Sequence, residues 1–240
     1  MKHPVILTIL LTLLIGITIW MTALGSVGIF TMAPPAKVFM ALLRHLQIVG
    51  LAEVMAIIIG IPIGFIATRP WFRFISPVLV NTANIGQTVP TLAFIGIAGA
   101  VLGMGFKAAV VALFVYALLP VIRNTYAGIQ SVDPATKEAA RGMGMSKWQV
   151  TYKIELPLAR PVIIAGIRTS TIVNVGTAAV AGMIGAGGLG ELIVTGIAVR
   201  VTELIIQGAA PTAALAIILD FILVSIERKL TPGGDLLQNR

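Results

Sequence analysis

Few side chains in this 240-residue chain are equipped for covalent chemistry. There is no cysteine, and the two histidines, His3 and His45, stand far apart, so neither thiolate chemistry nor a His/Cys metal site is on offer. Gly185, Gly187, Gly188 and Gly190 spell G-x-G-x-x-G. A dinucleotide turn, however, needs a strand before it, a helix after it and an acidic residue about 20 positions on, and this segment follows an apolar run instead. Two other readings fit it, a flexible turn and a re-entrant external hairpin in which the glycines permit close backbone packing. No Walker A pattern occurs, so any ATP hydrolysis must come from another chain. No catalytic residue and no metal ligand is assigned. What remains is polar matter in apolar surroundings: the charges Glu53, Arg123, Arg168 and Asp220, a run of Asn81, Asn84, Gln87 and Thr88 with a weaker echo in Asn174 and Thr177, and one long polar segment, Gln130 to Arg160.

That polar segment carries helix punctuation. Ser131 or Asp133 can cap a helix whose first position is Pro134, where a missing N–H is harmless. The helix continues through Lys137, Glu138, Ala139, Ala140 and Arg141, and Gly142 or Gly144 ends it. Ser146 with Gln149 three residues later forms a capping-box pattern for a second short helix, through Trp148 and Tyr152, which Pro157 is expected to stop. A basic helix-turn-helix of this kind also suggests DNA reading. Its ends lead straight into apolar spans, which leaves little freedom to enter a major groove about 12 Å wide, so no nucleic-acid partner is assigned. A plain solvated loop is the remaining bland reading.

The elements that must position these residues are membrane spans. The chain is 58% hydrophobic and 11% charged, with a mean hydropathy of +1.01. Soluble domains carry about a quarter charged residues. Windows of about 20 apolar residues, the length that crosses roughly 30 Å of hydrocarbon, number six. They run near Val5–Leu24, His45–Thr68, Phe74–Leu102, Lys107–Ile129, Pro161–Met183 and Glu203–Ile226. The chain is therefore read as an all-α polytopic membrane protein. With the N-terminus inside, that face holds Lys2, Arg69, Arg73, Lys137, Arg141, Lys147, Lys153, Arg160, Arg228, Lys229 and Arg240, against Lys37, Arg44, Lys107 and Arg200 outside. Lysine and arginine accumulate on the cytoplasmic side, so both termini and the polar segment 130–160 are expected there, with 25–43 and 185–202 outside.

Polar groups inside spans are costly and therefore informative. Asn81, Asn84, Gln87 and Thr88 fall along one helical stripe, suited either to a translocation path or to hydrogen bonds between helices, and Pro90 is a point where that helix can break. Arg168 and Asp220 lie about 10 Å in from the same face, at about 1.5 Å per residue, close enough in depth to pair. For Arg123, snorkelling to the inner interface suffices.

The spacing Glu138-Ala139-Ala140, three residues, Gly144, nine residues, then Ile154-Glu155-Leu156-Pro157 resembles the EAA loop of permeases from bacterial binding-protein-dependent ABC importers. The resemblance extends over most of the chain from about Gln47. It includes 84–93 (NIGQTVPTLA), 117–126 (ALLPVIRNTY), 166–169 (GIRT) and 184–190 (IGAGGLG), which look like the permeases for glycine betaine, choline or carnitine; methionine-type importers carry a glycine-rich segment like the last.

The resemblance implies a type I importer permease fold of six transmembrane helices, in which Glu138, Ala139, Ala140, Gly144, Ile154, Leu156 and Pro157 couple to an ATPase. It implies a bacterial inner-membrane location and alternating access for a small osmoprotectant. The expected partners are a second permease subunit, identical or homologous, two ATPase subunits holding ATP and Mg, and a periplasmic or lipid-anchored substrate-binding protein. A quaternary ammonium is usually held in an aromatic cage. None is visible among the 3 Trp, 3 Tyr and 9 Phe, and the resemblance assigns that cage to the binding protein. On this reading residues 1–44 form an N-terminal span and external loop, 45–230 the permease core and 231–240 a cytoplasmic tail. The alternatives are a permease for another solute such as an amino acid, or an ion-coupled secondary transporter using Glu53 or Asp220.

Overall fold

A computed structural model describes residues 32–72, 74 and 76–230; the expected first span, Val5–Leu24, and the tail 231–240 lie outside the described residues. Every regular element among the described residues is helical. Helix α1 (Pro35–Ala67) opens with a proline at its first turn and runs for 33 residues, about 50 Å at the usual rise. Its first turns correct the expected outer loop 25–43. Lys37 and Arg44 interrupt the apolar window, but Val38 is buried and packs with Leu189 and Leu192, so tertiary contact extends the helix past both charges.

The expected span Phe74–Leu102 is also corrected. It is two helices, α2 (Ser76–Gly86) and α3 (Thr91–Leu102), separated at Pro90, which lacks the N–H that would continue the ladder and holds an extended ψ of 129°. Helix α4 (Phe106–Gln130) matches its expected bounds to a residue. After it come α5 (Pro134–Gly142), α6 (Lys147–Val150), a π turn over Thr151–Glu155, α7 (Leu156–Ala178), a 3-10 turn over Val180–Ile184, α8 (Leu189–Val199) and α9 (Thr202–Leu230). Four helical stretches among the described residues are long and apolar enough to cross a membrane: α1, α4, the run 147–178 and α9.

The centre of the bundle is α1 against α4 and α4 against α7, with α9 lying over α7 and α8. Ile48, Leu113 and Val175 are fully buried there, with Ile95 of α3 beside them. Lipid tails are as apolar as these side chains, so close backbone approach must do much of the work of association. Gly60 of α1 lies over Val121 of α4, and a Cβ at Gly64 would sit 2.7 Å from the Ile122 carbonyl oxygen and from Thr125 Cβ. Outward faces are apolar too: Ile58, Ile97 and Val101 are exposed, as expected of surfaces that meet hydrocarbon rather than water.

The Gly64 contact is backbone on one side and cannot rotate away. Gly64→Val is expected to cost about 1–3 kcal/mol, the usual penalty of overpacking. Gly50→Ala, where a Cβ meets nothing within 4 Å, should not lower stability. Thermal unfolding of the two variants in detergent checks the contrast.

Candidate functional site

The polar segment between α4 and α7, the lever of the mechanism proposed below, is ordered as two capped short helices. Asp133 accepts from the Ala135 N–H at 3.1 Å and so caps α5, while Pro134 fills its first position. Such a cap contributes about 1 kcal/mol. At the other end the Met145 N–H reaches the Ala140 carbonyl and the Gly144 N–H reaches Arg141, a Schellman turn that needs a left-handed residue, which Gly144 supplies at φ +83°. Ser146 and Gln149 bond reciprocally, Gln149 Oε1 accepting from the Ser146 N–H at 2.8 Å and Ser146 Oγ from the Gln149 N–H at 3.3 Å, which caps α6.

Pro157 does not stop the second helix, contrary to the sequence expectation. The chain passes from α6 through the π turn into α7 as one helical run from Lys147 to Ala178. Proline lacks an N–H and crowds the carbonyl four residues back, in the turn ahead of it. Here that turn is the wider π turn, and Pro157 falls in the turn that follows it.

The residues expected to couple divide between two faces of this segment. Ala140 is buried against the chain, whereas Glu138, Ala139 and Gly144 are exposed. Ile154 and Leu156 pack on Ile129, Val132, Ala159 and Ile163, seating the lever on the ends of α4 and α7. The outer surface carries Met143, Trp148 and Tyr152, exposed by 74%, 68% and 63%, with the two aromatic rings stacked 5.9 Å apart. Arg141, Lys147 and Lys153, neighbours of these residues in sequence, are exposed as well, so the exposed side chains of the segment are both apolar and basic.

Glu155 was not legible as a site residue from the sequence. It is buried, its Oε2 accepts from Arg69 Nη2 at 2.7 Å and from Thr151 Oγ1 at 3.1 Å, and Lys137 Nζ lies 4.0 Å from Oε1. Its position between the motif residues Ile154 and Leu156 was the available signal.

Within the bundle, the Glu53 carboxylate of α1 accepts from Ser170 Oγ at 3.0 Å and Asn174 Nδ2 at 3.2 Å, both on α7, and Ser170 Oγ also lies 3.2 Å from the Ala117 carbonyl of α4. Asn174 is fully buried, so in this structure it bridges helices and lines no open surface. The expected polar stripe is shortened, because α2 ends at Gly86: Asn81 and Asn84 are helical, whereas Gln87 and Thr88 lie on the turn before Pro90. Asn81 and Thr88 are exposed and Gln87 is half-buried. Arg168 and Asp220 do meet, in a two-pronged ion pair between α7 and α9, with Nη2 and Oδ2 3.1 Å apart in its longer prong.

At the opposite end, Gly185, Gly187 and Gly188 all hold positive φ, at 71°, 82° and 78°. Gly190 starts α8 hard against the Ala179 carbonyl, where a Cβ would overlap it. The turn sits on α1. Arg44 Nε donates to the Ala186 carbonyl at 3.4 Å, its guanidinium lies 3.8 Å over the Phe106 ring, and Gly188 abuts the backbone of His45. His45 Nε2 in turn reaches the Val175 carbonyl at 3.0 Å, so α1, the glycine turn and α7 are fastened together. The turn follows the 3-10 turn Val180–Ile184, not a strand, and leads into the short helix α8.

Comparison with known proteins bears on what such a lever serves. The family model described as binding-protein-dependent transport system inner membrane component matches residues 60–232. The osmoprotectant import permease protein OsmY of Salmonella typhimurium is 40% identical over 97% of this chain and 97% of its own. The glycine betaine/carnitine/choline transport system permease protein OpuCB of Bacillus subtilis is 44% identical over 80% of this chain and 87% of its own. Among solved structures, a chain of the inward-facing MetNI methionine ABC transporter shares the fold with a TM-score of 0.69 at 24% identity, covering 81% of this chain and 96% of that one.

The Arg168–Asp220 pair joins α7 to α9, which are also bonded near the start of α7 and the end of α9 by Arg160 Nη1 donating to the Leu230 carbonyl at 3.1 Å. Loss of protein yield and thermal stability in Arg168→Ala and Asp220→Ala should be non-additive, with the double variant no worse than the poorer single one. Strictly additive losses would show that the two side chains act apart.

Proposed function

Because the chain belongs to the family of binding-protein-dependent transport system inner membrane components, we propose that it is the permease subunit of an ATP-driven importer for a small osmoprotectant, most closely a quaternary amine such as glycine betaine, carnitine or choline. The observation that carries the reading is the pairing of an exposed, capped lever, with Met143, Trp148 and Tyr152 on its free face, and 40% identity over 97% of the chain to an osmoprotectant import permease. Exposed aromatic and methionine side chains on one short segment with exposed cations suit a protein-docking surface. The occupant is a separate ATPase subunit, which supplies the hydrolysis for which this chain has no Walker A sequence.

The mechanism is alternating access. Closure of two ATPase subunits on ATP shifts the segment 133–156, and the continuous helix 147–178 carries that shift into the bundle. Two permeases then open outward to receive the solute from a substrate-binding protein. Lysine and arginine cluster on the lever and around Arg69, which supports placing that face, and both termini, in the cytoplasm. The glycine turn 185–190 then faces out, as an external hairpin. Asn81, Asn84, Gln87 and Thr88 are the groups proposed to line the translocation path, with Asn174 reaching it only if α7 moves.

Two measurements test this reading. Vesicles reconstituted with all subunits should take up radiolabelled betaine or choline in an ATP-dependent, vanadate-sensitive manner, in preference to amino acids. Substituting Glu138 or Gly144 should abolish that uptake while the protein remains inserted in the membrane; wild-type uptake in both variants would contradict the coupling role.

A further inference from the structure

Motion of the lever reaches α4 and α7 through the chain itself, because both are covalently continuous with it. Helix α1 is not. Nothing in the backbone obliges α1 to follow when the segment 133–156 shifts, yet α1 is the helix that packs along α4 at the bundle centre and seats the glycine turn through Arg44 and His45. A direct tie between α1 and the lever adds to the packing of α1 on α4 and α7 and would make the far end respond as a unit.

Beside the apolar contact of Ile61 and Phe65 with the cluster that also seats Ile154 and Leu156, one such tie among the described residues is polar. Arg69 follows directly after α1 and is held from two sides. Its guanidinium carbon lies 4.0 Å over the Phe65 ring of α1, and its Nη2 lies 2.7 Å from Glu155 Oε2 in the π turn. Glu155 has a second cation, Lys137 of α5, at 4.0 Å, and a hydroxyl donor, Thr151 of the same π turn, at 3.1 Å. Of the three ion pairs among the described residues, two converge on this one carboxylate. The side chain of Glu155 is only 8% exposed and that of Arg69 20%, so solvent screening is weak. A surface pair would slip under load; this one is clamped by a ring, a second cation and a hydroxyl.

We propose that Glu155 and Arg69 form the joint by which the lever drives α1, and that Glu155, gathering Lys137 and Thr151 as well, is the positioning residue that makes the lever and α1 move together. The inference rests on the importer reading given above. It assigns the lever a second route into the bundle, parallel to the covalent route through α7. Because α1 is a single helix, a displacement at Arg69 is delivered about 35 Å away at Arg44 and His45, at about 1.5 Å per residue, where the glycine turn is fastened. Small shifts pass along such packed, rigid elements because they cannot deform continuously.

The experiment uses the fully assembled complex in vesicles and reads solute transported per ATP hydrolysed, a ratio that loss of stability alone does not change. Glu155→Gln, which keeps the shape and removes the charge, and Arg69→Met should each lower the ratio roughly tenfold, with Arg69→Lys intermediate. The natural absence of cysteine permits a second measurement on one protein. In the Arg69→Cys, Glu155→Cys double variant, bridging the two thiols with a short bifunctional thiosulfonate should raise uptake about fivefold, and reduction should reverse the gain. An unchanged ratio in the single variants overturns the joint, as does bridging that brings no recovery. If the wild-type complex shows no ATP-dependent uptake of any solute, the importer reading fails as well, an outcome distinct from loss of the joint alone.

Discussion

One mechanical constraint underlies the rest: the helical run from Lys147 to Ala178 is unbroken. A loop joined to a membrane helix through a flexible corner can wander without moving that helix. A loop whose second half is the first turns of the same helix cannot. The π turn at Thr151–Glu155 precedes Pro157 within this run, and its wider backbone eases the crowding of the proline ring on the carbonyl four residues back. It also widens the helix where Glu155 must turn inward to Arg69. The caps at Asp133 and Ser146 and the left-handed Gly144 then fix the angle between the two short helices, so the exposed face of Trp148 and Tyr152 is held in a defined direction.

Polar groups are distributed as fasteners along the bundle and at its two ends. Arg69 and Glu155 join α1 to the lever, Arg168 and Asp220 join α7 to α9, Glu53 joins α1 to α7, and His45 with Arg44 secures the glycine turn. Each cross-links elements distant in sequence, at the sites where a hydrophobic driving force between helices is weakest. Small residues such as Gly60 and Gly64 bring the backbones near enough for these bonds to form. A bundle held in this way can move as stiff rods about a few points, which is the behaviour alternating access requires.

Much of this organisation was legible in the sequence because it rests on local rules. The caps at Asp133 and Ser146, the turn at Gly144, the break at Pro90, the bounds of α4 and the start of α9 follow from short-range chemistry, and the equal depth of Arg168 and Asp220 was enough to suggest their pairing. The misses have a common cause in tertiary contact. Packing of Val38 on α8 carried α1 past two charges, and Pro157 was accommodated by a π turn that no propensity announces. Glu155 reads as the variable letter in a motif, because its partner Arg69 is 86 residues away. Asn174 offered a polar group without its direction, and the direction toward Glu53 is set by the packing of three helices.

The central claim is that the segment 133–156 is an intracellular lever pressed against a separate motor. The most direct measurement places a single cysteine at Trp148 in this otherwise cysteine-free chain and follows both its labelling by a membrane-impermeant maleimide and its photo-crosslinking within the assembled complex. Labelling from the cytoplasmic face alone, with a crosslink to the ATPase subunit whose yield changes on ATP addition, is the predicted result. Labelling from the outside of intact cells, or a transport-competent complex in which position 148 reaches no ATPase, would contradict the account.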